Sequence, residues 1–275
     1  MARAAFPKGA GEMPRIRGFP HNPTHQSNSV FIAVRLWKDV RPRRLFARSA
    51  RAISSDMSID ATPTAKVEKN NPDRTISTDR RAIADMRRIN PGFNPVHYYP
   101  VRVPTVASLA RLLVSMTVSF PGIPVEMKKR GIPSAFRLLR IHPALSLVMR
   151  TGIPGKHFGV ELDIALVDLL MPFGRNGAPS HFAIFGDAVS AIHSHRGMES
   201  PGWFPPPHFL SKLYVEECLF SDLKNRRRQP FNTTDWESIA RGMMGRNAIN
   251  ADKIEEEGNW GATYTMVSFP IDSKS

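Results

Sequence analysis

The stretch VPTVASLARLLVSMTVSFPGIPV, residues 103–125, decides how this chain is to be read. It is the longest apolar window, yet Pro104, Arg111, Pro121 and Pro124 interrupt it. A membrane helix needs about 20 consecutive apolar residues. The window therefore predicts a core or interfacial helix over residues 105–120, with Val106, Leu109, Leu113 and Met116 on one face. A chain of 275 residues that is 41% hydrophobic has enough apolar surface to build a core around such a helix. Its 24 Pro and 18 Gly break most windows within about 12–15 residues, so the elements are expected to be short.

Working outward, three Gly-Ile-Pro tripeptides, at residues 122–124, 131–133 and 152–154, separate short helical pieces over 134–141 and 143–151. Residues 160–164 alternate apolar and acidic as a half-buried strand does and 165–171 is continuously apolar, which reads either as a strand followed by a helix or as one buried helix. Residues 182–185 read as a strand and 209–220 as a helix. Thr234 and Glu237 form a capping-box pattern ahead of a short helix, and 261–269 is rich in β-formers. Toward the N-terminus, 30–37 (VFIAVRLW) reads as a strand. Residues 78–89 read as the clearest helix, capped by Ser77 or Thr78, stopped by Asn90-Pro91 and striped by Ile83, Met86 and Ile89. Helices and strands alternate without order, which predicts an α+β class: a small mixed domain with short helices and few strands.

Composition divides the chain into a basic arm at 1–55, expected to be disordered, a polar linker at 56–76 and a globular α+β region at 77–275. The arm carries Arg3, Lys8, Arg15, Arg17, Arg35, Lys38, Arg41, Arg43, Arg44, Arg48 and Arg51 against Glu12 and Asp39. Arg-rich and acid-poor is also how organelle transit peptides look, which makes import an alternative to a solvated arm. Cys218 is the sole cysteine, which excludes an intrachain disulfide and a cysteine-rich zinc site and fits a reducing, intracellular compartment. Its neighbours Glu216 and Glu217 disfavour a thiolate, so a buried structural role is expected.

The formal net charge is +14. Arg80, Arg81, Arg87 and Arg88 would line one side of the 78–89 helix; Lys128, Lys129 and Arg130 form a triplet; Lys224, Arg226, Arg227 and Arg228 form a third cluster. Lysine and arginine attract phosphate and release counterions, giving affinity without sequence specificity. The first functional expectation is therefore a basic protein associating with a polyanion: nucleic acid, the ribosome or an anionic membrane surface.

A second expectation is a metal-dependent enzyme. His193, His195 and Glu199 have the His-x-His-x-x-x-Glu spacing, and on a strand the two imidazoles would share a face and could hold a divalent metal. Residues 186–202 locally resemble the first motif of the cupin family; the resemblance implies a small β-barrel with these three residues as metal ligands. Gly186 and Gly202 are displaced from the motif's positions, and its second motif has no counterpart. Ser190, Ser194 and Ser200 lack a nucleophile elbow, and the 152–157 segment lacks the spacing of a phosphate loop. A third expectation, a poorly folded reading frame without selected function, follows from breakers and basic residues (Arg111, Arg137, Arg140) that fall inside apolar runs.

Overall fold

A computed structural model describes residues 28–49, 64–70, 75–87, 89–102, 104–146, 148–161, 164–197, 208–214, 216–249, 259–266 and 269–272. The class is α+β, with five α-helices and two three-stranded antiparallel sheets among the described residues. The chain divides into two compact units. One comprises residues up to Tyr98 and Leu139–Ala178, the other Tyr99–Leu138 and the chain from Pro179 onward.

In the first unit, residues 30–37 form helix α1, Ser29–Trp37, where a strand was expected. An apolar run carries no period of its own; packing selects the helix, which turns Ile32 and Ala33 inward. Ala33 joins Leu45, Ile153 and Leu166 in a core cluster, with Leu36, Val40, Ala47 and Phe158 against it. The chain then reverses through Arg43, whose φ of 57° is left-handed. The amides of Arg44 and Leu45 both donate to the Asp39 carbonyl, at 2.9 and 3.1 Å. Strand β1, Leu45–Ser49, follows, so residues 28–49 of the expected arm carry a helix and a strand, while its residues 1–27 and 50–55 lie outside the described residues.

Two further strands belong to the first unit. Strands β2, Thr64–Asn70, and β3, Ile76–Ala84, form an antiparallel hairpin with Glu68 opposite Arg80. The helix expected over 78–89 is thus largely a strand, and part of the expected linker is its partner. Ile76, Thr78 and Val67 favour strand geometry, and a nearby partner outweighs the weak local helix signal.

Next in the chain, the second unit begins with helix α2, Val106–Ser119, at the position expected. Thr105 and Ser108 cap it reciprocally: Ser108 N donates to Thr105 Oγ1 at 3.1 Å, and Thr105 N to Ser108 Oγ at 2.9 Å. Leu109, Leu113 and Met116 are buried, whereas Val106 stands in solvent. Strand β4, Val125–Gly131, follows, then a 3-10 turn at Ala135–Leu138 in place of the first short helix expected.

The chain re-enters the first unit with a single helical turn, α3, Pro143–Ser146, and strands β5, Arg150–Ile153, and β6, Ile164–Asp168. β6 is the centre of the sheet β1-β6-β5, with Ala47 and Thr151 both opposite Leu166.

Helix α4, Ala178–Arg196, replaces the strand expected at 182–185. Its buried residues Phe182, Gly186, Val189 and His193 fall at helical spacing, but two of them are not apolar, which hides the stripe from a hydropathy reading. Gly186 faces the Leu213 side chain of the sheet, whose terminal methyl would have to shift to admit a Cβ there. Residues 209–220, expected as a helix, form a hairpin of β7, Leu210–Tyr214, and β8, Glu217–Leu223. Helix α5, Arg228–Met244, begins earlier than its capping-box pattern implied. Asn225 Oδ1 accepts from the amides of Arg227 and Arg228, both at 2.9 Å, and so serves its first turn. Strands β9, Thr263–Met266, and β10, Phe269–Asp272, end the described chain, and Gly261 exchanges two backbone hydrogen bonds with Met127, at 2.7 and 2.9 Å.

The sheet β4-β8-β7 organises this unit. β8 is its central strand and is buried over Cys218–Leu223, so both faces are covered. Leu219 and Leu223 join Val125, Met127 and the α2 residues in one apolar cluster. Side chains alternate, so Cys218, Phe220 and Asp222 point the other way. There Phe220 packs edge-on against Trp236 of α5, with ring centroids 5.3 Å apart.

A candidate anion-binding surface and a buried polar face

Opposite residues in an antiparallel pair share a face, which places Glu126, Lys128 and Arg130 of β4 beside Asp222, Phe220 and Cys218 of β8. The α2 side of this sheet is apolar; the α5 side is charged. Arg228 is 0% exposed, donates from Nε to Asp222 Oδ1 at 2.8 Å and from Nη1 to the Gly197 carbonyl at 3.3 Å, and lies 4.5 Å over the Phe209 ring. Asp222 also accepts from Asn232 Nδ2 at 2.7 Å and from the Leu223 amide at 2.9 Å. Burial pushes the Asp222 carboxyl above the usual carboxylate range, against the opposing pull of Arg228 and its hydrogen bonds.

Four more of the basic residues expected to meet a polyanion in this unit are buried or paired. Arg130, 3% exposed, donates to Glu237 at 3.0 Å; Lys129 pairs with Glu217 at 2.8 Å; Lys128 is buried. Lys224 pairs with Glu126 at 3.0 Å, and Gln229 donates to the other oxygen of Glu126 at 3.1 Å. A cavity of about 360 Å³ beside this pair has Glu126 and Lys224 as its charged lining residues, and they neutralise one another. Buried, paired cations hold the sheet to α5 and do not present charge to a phosphate backbone. Lys128, Arg130 and Arg228, expected among the polyanion-binding residues, are thus buried. Arg226 and Arg227 remain exposed.

His193 belongs to the same buried face. Its Nε2 lies 3.0 Å from the Asn232 carbonyl, which can only accept, so Nε2 carries the proton and Nδ1 accepts from Ser211 Oγ at 3.1 Å. The ring stacks on Phe209 at 4.8 Å and meets Phe220 edge-on at 5.9 Å. Desolvation pulls its pKa down to about 4. The Ser211–His193 pair has the connectivity of a nucleophile and its base, but Ser211 is 7% and His193 0% exposed, so a substrate carbonyl cannot reach it. The pair is structural.

His195, two residues along the helix, is exposed. The strand on which the two imidazoles would have shared a face is instead α4, where residues two apart diverge by about 200°. The cupin-like reading fails at the same point, because its motif requires strands there. Glu199 lies outside the described residues, and among those described no group of three His, Cys, Asp or Glu side chains is placed to hold a metal. Cys218 is buried, and desolvation raises its thiol pKa well above the usual value, as befits a structural cysteine.

In the first unit, Arg80 and Arg81 lie on β3 and not on a helix face. Arg87 is exposed and bridges to Asp85, with Nε donating at 2.8 Å; Arg88 lies outside the described residues. The concentration of exposed charge falls elsewhere, on the α1–β1 segment that composition assigned to a disordered arm. Arg35, Lys38, Arg41, Arg43 and Arg48 are all exposed within it. The acid of that segment, Asp39, is taken by Arg44 at 3.3 Å. The signal was present in the sequence as a run of basic residues, but nothing local indicated that they would be carried on folded backbone. Comparison with models of known protein families gave no match, and comparison with curated proteins gave none either.

Proposed function

We propose that the protein associates with a phosphate-bearing polyanion through electrostatic contacts, chiefly from the α1–β1 segment. The observation that carries this reading is the set of exposed cations Arg35, Lys38, Arg41, Arg43 and Arg48 around one acid that is already paired. Held on a helix end, a tight turn and a strand, these charges are pre-positioned and lose little freedom when they meet phosphate. Arg226 and Arg227, exposed before α5, supply a second, smaller contact point. Contacts of this kind give affinity that falls steeply with salt and depends little on base sequence.

The test is retention on heparin and binding to RNA over a salt series, for the full chain and for Arg35→Gln/Lys38→Gln/Arg41→Gln/Arg43→Asn. Asparagine at position 43 tolerates the left-handed backbone there. Loss of four phosphate contacts is expected to lower the slope of log affinity against log salt by about 3 to 4. Binding that is insensitive to salt, or unchanged in the quadruple variant, contradicts the proposal.

A further inference from the structure

Among the described residues helix α1 leaves part of its surface exposed, with Trp37 covered on one side by the Phe158 ring at 4.9 Å. Ile32 and Ala33 face the core, while Val30, Val34 and Trp37 are 59%, 49% and 43% exposed. These three fall at i, i+4 and i+7, which on a helix is one stripe. Single exposed apolar residues are ordinary; a contiguous stripe on a helix whose other side is already buried marks a surface that something covers. The neighbouring arc is cationic. At about 100° per residue, Lys38 lies about 40° round from Val34, with Arg35 beyond it. Arg41 and Arg43 extend the charge into the turn that follows the helix.

We propose that this face of α1 docks on a bilayer surface containing anionic phospholipid, with Val30, Val34 and Trp37 entering the acyl boundary and Lys38, Arg35, Arg41 and Arg43 meeting the headgroups. The inference rests on the polyanion reading above and specifies its partner. An apolar stripe bordered by lysine and arginine is the pattern of a helix lying in a membrane interface, and an indole suits the headgroup boundary. A nucleic-acid backbone would use the cations but has no use for Val30 and Val34, whereas a lipid surface accounts for both. At nine residues, α1 is about 14 Å long, so it lies on the surface and does not cross it.

The test is co-sedimentation of the full chain with phosphatidylcholine vesicles with and without phosphatidylserine, alongside heparin retention of the same preparations. Binding that requires phosphatidylserine is expected. Val30→Ser/Val34→Ser is expected to weaken it by about tenfold while leaving heparin retention unchanged. Both valines are about half exposed or more, so this variant keeps the fold, and an unchanged urea midpoint verifies that. A blue shift in tryptophan emission on adding anionic vesicles is expected from the native chain and lost in Trp37→Phe. Retention on heparin or RNA without vesicle binding overturns the lipid inference and leaves the polyanion reading standing; failure on all three overturns both. Vesicle binding that survives the double valine substitution overturns the assignment to α1.

Discussion

His193 makes the stability of the second unit depend on pH in a way that can be worked out from its surroundings. The imidazole is buried between Phe209 and Phe220, donates to the Asn232 carbonyl and accepts from Ser211, with Asp235 and Arg228 of α5 exerting opposite pulls on its charge. Its pKa drops from 6.5 to about 4, chiefly through desolvation. Between these values the unfolded chain binds a proton that the folded chain refuses, so stability is full above 6.5 and falls as pH drops toward 4. The loss is about 2 kcal/mol at pH 5 and about 3 kcal/mol once both values are passed. Asp222 works in the opposite direction, since its raised carboxyl pKa favours the folded state in acid, so the total pH dependence mixes the two. Comparison with His193→Gln separates them, because glutamine keeps a donor and an acceptor but does not titrate. Urea unfolding at pH 7 and pH 5 should show the native protein losing about 2 kcal/mol more than the variant. Equal losses in the two proteins, or a His193 ring titrating near 6.5 by NMR in the folded chain, would refute the reasoning.

Arg228→Met removes one member of a fully buried pair and strands the Asp222 carboxylate, at an expected cost of about 3–5 kcal/mol; adding Asp222→Leu should recover part of it, and a single variant as stable as the native chain by urea denaturation contradicts the pairing. Gly197→Ala places a Cβ against the Phe209 backbone amide, which cannot easily move, so a fall in the melting temperature is expected, whereas Gly242→Ala, in open space within α5, is expected to raise it through helix propensity. Leu113→Ala opens a cavity between α2 and the sheet and should cost about 2–5 kcal/mol in urea, with the unfolding transition remaining cooperative. A broad, non-cooperative transition in the native chain would instead favour the reading of a chain without a selected fold.

Some of this molecule was legible from local chemistry. Residues 105–121 carry an apolar period and a terminating proline within one segment, so α2 could be read directly. The α+β class followed from the mixture of signals, and the burial of Cys218 from its type and neighbours. The elements that misled were those whose conformation is set by pairing with another segment. Residues 78–84 have helix-like spacing, but 80–84 pair with residues 64–68, and residues 209–220 form two strands because β4, more than 80 residues earlier, supplies the third. The His193 environment was hidden for a related reason: a stripe composed of Phe, Gly, Val and His does not register as apolar, although all four are buried.

The basic composition by itself determined that the chain carries excess positive charge. Tertiary structure decided which of those charges face solvent. Lys128, Arg130 and Arg228 read as surface residues in a linear string, but the register of β4 against β8 turns Lys128 and Arg130 toward α5, where Glu237 meets Arg130, and Arg228, at the start of α5, turns back to Asp222 of β8 and the Gly197 carbonyl. Arg35, Lys38, Arg41 and Arg43 read as a disordered arm, yet the packing of α1 and β1 around Leu45 and Leu166 holds them on folded backbone. Charge is a property of residue type and can be counted along the chain; exposure belongs to the neighbours a residue acquires, and those come from contacts between distant segments.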